Sequence, residues 1–120
     1  GESQLVFWAM RADFIAKNRA ALVDFFEDHI RAMRWFLDPK NHEQAVEIAA
    51  AALKTPKENL EYAFTKKDFY RSLDARPLID GIQRDIGDAV QLGILKEGLQ
   101  IAPRYVDLSL IEEAKKRIDG

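Results

Sequence analysis

Between Arg19 and Leu37 the apolar side chains Leu22, Phe26, Ile30, Met33 and Leu37 recur at steps of three and four residues. That period places them on one face of a helix, with Phe25 and Phe36 widening the stripe. A long amphipathic helix draws most of its stability from packing that face, so the rest of the chain has to supply a partner for it. Asp13 or Asn18 stands where a cap is needed at its start. Asp38-Pro39 ends it, because the residue before proline is pushed out of the helical region.

Further helix signals follow. Asn41, with Gln44 three residues on, reads as a capping-box variant opening a helix whose apolar face holds Ala45, Val46, Ala49, Ala52 and Leu53. Thr55-Pro56-Lys57-Glu58 is the clearest start signal: a cap, a proline in the first helical position and a glutamate that closes the box. Leu60, Ala63 and Phe64 lie on one side after it. Residues 66–76 read as a turn-rich connector with Phe69 and Tyr70 as buried candidates. Pro77 restarts a helix in which Leu78, Ile82, Ile86 and Val90 repeat every four residues. Gly81 and Gly87 inside it each cost about 1 kcal/mol relative to alanine, and close packing against a neighbour is the expected reason for them. Gly93 is a natural stop, and Ser109 with Glu112 is placed to cap a last helix through Ile118.

Residues Leu5 to Met10 break the pattern. This short continuous apolar run, rich in aromatic side chains, predicts a buried strand. No second strand is evident, and a lone strand leaves its ladder groups without partners. Its neighbours are expected to lie in sequence beyond this chain. Helical faces meant for that absent part would stay exposed and drive self-association.

Composition narrows the chemistry. With 48% apolar and 32% charged residues the chain is expected to be globular. A net charge of −2, with the two signs interspersed, argues against nucleic-acid binding. Lys66, Lys67 and Arg71 beside Phe69 and Tyr70 are the one basic-aromatic cluster, without a wider patch to support it. There is no cysteine, and His29 and His42 lack metal-ligand spacing. The pairs Glu27-Asp28 and Glu112-Glu113 diverge on a helix rather than converge on a cleft. There is no Gly-rich phosphate loop and no nucleophile elbow. No catalytic residue, metal or cofactor is therefore expected, and the chain is not read as an enzyme. Trp35 falls in a helical stripe and reads as core, whereas Trp8 lies in the orphan strand.

Several segments in order carry a resemblance. They are Asp13-Phe14-Ile15-Ala16-Lys17-Asn18, then Trp35-Phe36-Leu37-Asp38-Pro39-Lys40-Asn41 with Glu43-Gln44-Ala45, and Phe64 through Arg71. Gln91-Leu92-Gly93-Ile94-Leu95, Tyr105 through Leu110, and Glu113-Ala114 complete the set. From about Leu5 almost to the end, this order resembles the C-terminal part of periplasmic solute-binding proteins of the nitrate, sulfonate and taurine class, a group that includes binders of thiamine pyrimidine precursors. The resemblance implies a mainly α, C-terminal fragment of a two-lobed α/β binding protein of type II. In it residues 1–11 would cross between lobes as a short strand and residues 12–120 would be helical. It implies a periplasmic or cell-surface lipoprotein location, a small and often anionic or heterocyclic solute, and an ABC transporter permease as partner. Trp8 near the crossing, with Arg11 as an anion partner, are the ligand-binding candidates. Without the resemblance, the same apolar faces fit a helical protein-interaction module. An enzyme relative making a pyrimidine precursor ranks last, for want of clustered histidines or cysteines.

Overall fold

A computed structural model describes residue 4, residues 6–68 and residues 72–120. Among the described residues the fold is mainly helical: α1 (Ala12–Leu37), α2 (His42–Leu53), α3 (Ile79–Gln91) and α4 (Ser109–Asp119), with 3-10 turns at Pro39–Asn41 and Lys57–Asn59.

The stripe on α1 finds its partner in α4. Val23, Phe26 and Ile30 are buried against Leu110, Ile111 and Ala114, and Met10, Ile15, Leu22, Ala75 and Ile118 close the margins. Polar pairs flank the seam in the same order on both helices. Arg19 donates to Ser109 Oγ at 3.2 Å and to Glu113 at 3.0 Å, Arg117 to Asp24 at 2.7 Å, and Arg34 to Asp119 at 2.6 Å. The two helices therefore run in the same direction, which the long intervening chain makes possible. Arg34 also donates to Asp74 at 2.7 Å, and Lys115 lies 2.9 Å from the other oxygen of Asp74. Residues 72–76 are thereby fastened to both helices.

The α1 helix is bent at Asn18, whose backbone is non-helical (φ −121°, ψ 19°). The Asn18 side-chain amide donates to the Phe14 carbonyl at 2.9 Å. A short polar side chain competing with the backbone for a helical carbonyl is a known cause of such bends. Asn18 thus marks a junction inside one helix rather than its start. Asp38 stops α1 in extended geometry as the Pro39 signal requires.

Three further helix starts differ from the sequence expectation. Asn41 does not cap α2, because its side-chain amide donates backwards to the Trp35 carbonyl at 3.1 Å. Thr55-Pro56-Lys57-Glu58 yields only one 3-10 turn, with Thr55 Oγ1 bonded to the Leu53 carbonyl instead of forward. Capping residues help a helix that has a face to bury, and Leu60, Ala63 and Phe64 run into turns where only Phe64 meets a ring, that of Phe36 at 5.0 Å. At α4 the cap is Asp107, not Ser109. Leu108 is already in the αR region, and Asp107 accepts the Ser109 N–H at 2.9 Å and its hydroxyl at 2.6 Å.

The α3 helix stands apart, with no other helix alongside it among the described residues. Its stop at Gly93 is as read: φ is +72°, Gly93 N–H bonds to Val90 and Ile94 N–H to Ala89. The Gln83 side chain clasps the returning chain, donating to the Leu99 carbonyl at 2.9 Å and accepting from Ile101 N–H at 3.0 Å. Gly81 is buried, but a Cβ on exposed Gly87 would meet nothing within 4 Å, so close packing does not explain Gly87.

No strand is present among the described residues, and residues 6–10 run as non-helical chain without a ladder. The strand expected over residues 1–11 is corrected to that extent; Leu5 itself lies outside the described residues, as do Phe69, Tyr70 and Arg71. The physical reason is the absence of any second strand to pair with. Val6 stays 80% exposed. No helix is long and apolar enough to cross a membrane among the described residues.

Two substitutions test this packing. Ile30→Ala, at a fully buried position, is expected to cost about 2–5 kcal/mol in denaturant unfolding. Gly87→Ala is expected to stabilise by about 1 kcal/mol, because it adds helix propensity without a clash.

Candidate functional site

The segment before α1 lies across the helix surface and is held at both ends. At one end Gln4 reaches α3: its Oε1 accepts the Leu78 N–H at 2.7 Å, and its own N–H donates to Asp85 at 3.1 Å. At the other, Met10 packs on the α1–α4 core. Between them Trp8 sits on the flank of α1. Its ring meets Phe25 edge-on at 5.2 Å and His29 at 6.0 Å, while Phe25 and His29 are stacked at 6.1 Å. The four-residue spacing of Phe25 and His29 puts them one helical turn apart, so one indole covers both.

This cluster is a surface feature. Trp8 remains 58% and Phe25 43% exposed, with Phe7 also open to solvent. Covering by these rings holds the His29 pKa below its ordinary 6.5, since burial disfavours the imidazolium. Arg11 lies just beyond, with its guanidinium bound to Asp13 through Nε at 3.1 Å and a second nitrogen at 3.3 Å. That guanidinium holds the Asp13 carboxyl below the usual carboxylate range.

The two residues singled out from sequence therefore have different settings: Trp8 joins an aromatic cluster, and Arg11 is paired with a carboxylate on an exposed rim. Phe25 and His29 are the partners that sequence reasoning missed. The signal was available in part, because His29 is four residues after Phe25 on the outer flank of a helix whose core face is Val23, Phe26 and Ile30.

Two open grooves lie elsewhere. One of about 420 Å³ is lined by His42, Glu43, Val46, Lys57 and Glu61, and one of about 360 Å³ by Arg76, Glu112, Lys115, Lys116, Asp119 and Gly120. In the first, Lys57 is bonded to Glu47. Among the described residues no group of three histidine, cysteine or acidic side chains converges as a metal site would require. What the geometry offers chemically is an aromatic surface able to stack against a planar or apolar group.

No protein-family model, no curated protein and no solved structure matches this chain.

The aromatic cover on His29 has a pH consequence. The folded state binds this proton less readily than the unfolded state, so stability is full above the unfolded value near 6.5 and falls as pH drops through it. Asp74, Asp107 and Asp119 are also lowered, but because Arg34, Ser109 and Arg34 respectively favour their charged forms, so the stability they contribute is lost only in the acid range below the ordinary 3.8. Thermal unfolding is expected to show a separate decline between about pH 7 and pH 5, and His29→Phe is expected to remove that step while leaving the acid limb in place.

Proposed function

We propose that the chain is the helical part of a solute-binding component of an ABC importer, working in the periplasm or on the cell surface. In this reading it helps capture a small anionic or heterocyclic solute, such as a sulfonate, nitrate or a pyrimidine precursor, and carries out no catalysis. The ordered set of motifs supports it. The single structural observation behind it is the segment at residues 6–8, where Val6, Phe7 and Trp8 stand uncovered on non-helical backbone. Apolar side chains displayed in that way suit a segment that passes between neighbouring parts of a binding protein.

Trp8 would supply a face for a planar or apolar solute group. Arg11 would supply charge to an anion by exchanging its Asp13 partner. An ion pair this exposed is screened by water and weak, so opening it costs little.

A second reading, a helical protein-interaction module, is favoured by a different observation. Leu92, Ile94, Leu95, Leu99 and Tyr105 are all exposed after α3, far from Trp8 in sequence.

The two readings separate in a thermal-shift screen of nitrate, taurine, alkanesulfonates and pyrimidines on the full gene product that carries this chain. A true ligand at about 100 times its dissociation constant stabilises by about 2.7 kcal/mol. The solute reading expects a saturable shift that Trp8→Ala and Arg11→Ala each diminish. A flat response across the panel would overturn it and leave the interaction module standing.

A further inference from the structure

The turn that closes α3 carries apolar side chains that no packed face takes up. Every residue from 91 to 100 is exposed. Among them Leu92 is 76% and Ile94 73% open to solvent, with Leu95 and Leu99 exposed beside them. A concentration of this kind marks a surface that meets something other than water.

The display is built into the fold. Leu92 N–H bonds to Asp88, Gly93 N–H to Val90, and the Ile94 and Leu95 N–H groups share the Ala89 carbonyl. Gly93 at φ +72° makes that closure possible. Behind the turn the chain comes back against α3, where a Cβ on Gly98 would lie 3.7 Å from Val90. Gln83 then holds it through Leu99 and Ile101. The four residues at the tip therefore have every N–H group bonded within the chain, and the turn is already in one conformation before it meets a partner.

Two properties favour lipid over protein as that partner. An apolar phase admits backbone where its polar groups are satisfied internally, and the tip meets this demand at its N–H groups. A protein face covers one side of a protrusion, whereas acyl chains close around all of it, and this turn is open along its whole length. Charge agrees. Residues 91–105 hold Lys96 and Arg104 against Glu97, a local balance of +1 in a chain whose net charge is −2. Asp88 lies four residues back, on the helix side of the turn. An anionic surface would attract this end of the molecule and repel the remainder. Arg104 also lies over the exposed Tyr105 ring, 5.3 Å from its centroid. An aromatic body with a cationic head is the combination that settles at a headgroup layer.

We propose that the turn at residues 92–95 seats in an anionic lipid surface, with Leu92, Ile94 and Leu95 among the acyl chains and Lys96, Arg104 and Tyr105 at the headgroups. The assignment goes beyond the solute-binding reading, which does not use these residues, and gives the turn lipid in place of a protein partner.

The chain has no cysteine, so a single introduced thiol reports one position. Ile94→Cys carries a nitrobenzoxadiazole label at the tip, and Ala51→Cys, exposed on α2, carries the control label. With vesicles of equal parts phosphatidylcholine and phosphatidylglycerol, the chain is expected to co-sediment. The label at residue 94 is expected to brighten and shift to the blue while that at residue 51 stays unchanged. Ile94→Asp is expected to weaken vesicle binding by about 10-fold or more, with its circular dichroism unchanged. Lys96→Glu is expected to weaken binding to the mixed vesicles more than to phosphatidylcholine alone. Absence of co-sedimentation, binding that Ile94→Asp leaves intact, or a blue shift that appears on raising protein concentration without vesicles would each overturn the proposal, the last in favour of contact between chains.

Discussion

The fold rests on one seam, where Val23, Phe26 and Ile30 of α1 interlock with Leu110, Ile111 and Ala114 of α4. These residues are the main body of the core, and the other parts are placed by reference to it. The 72–76 turn is held because Asp74 is gripped by Arg34 from α1 and Lys115 from α4. The segment before α1 is held because Met10 enters the same core. A buried apolar side chain contributes about 1.5–3 kcal/mol, while each flanking ion pair, at the exposures seen here, adds a fraction of that. The seam supplies the affinity between the helices, and the ion pairs fix their register.

The sequence made the long helix legible because its end and its core face are marked by local rules, a proline stop and a repeating stripe; its start was not, since α1 begins at Ala12 with no side-chain cap and Asn18 falls at the bend. The stop of α3 at Gly93 was legible for the same reason, since only the left-handed backbone there closes the last turn. What local rules did not contain was which capped segment would find something to pack against. Thr55 to Glu58 has a complete start signal and makes one turn, whereas α4 has a core partner and forms even though its cap sits two residues before the expected serine. Propensity proposes a helix, and burial decides whether it forms.

The candidate site shows the same division. Trp8 stood out because a tryptophan in an unpartnered apolar run has few structural explanations. Its neighbours Phe25 and His29 could not be read, because a contact between a non-helical segment and a helix flank depends on the path of the chain across the surface. That path is set by Gln4 at α3, a long-range hydrogen bond with no local signature. The result is a surface in which one aromatic group covers another while leaving both partly wet.

The parallel course of α1 and α4 also sets a timetable. Ile30 and Leu110 share one core in the folded chain yet are separated by eighty residues of synthesis. At about 5–20 residues per second, the ribosome takes roughly 4–16 s to cover that distance. During this interval the apolar face of α1 has been made and is without its mate. A fold whose decisive contact joins an early element to a late one has high contact order and is slow to complete. The nascent chain is therefore exposed to capture by chaperones, or by a neighbouring nascent copy, at the stage when its oily side is most available.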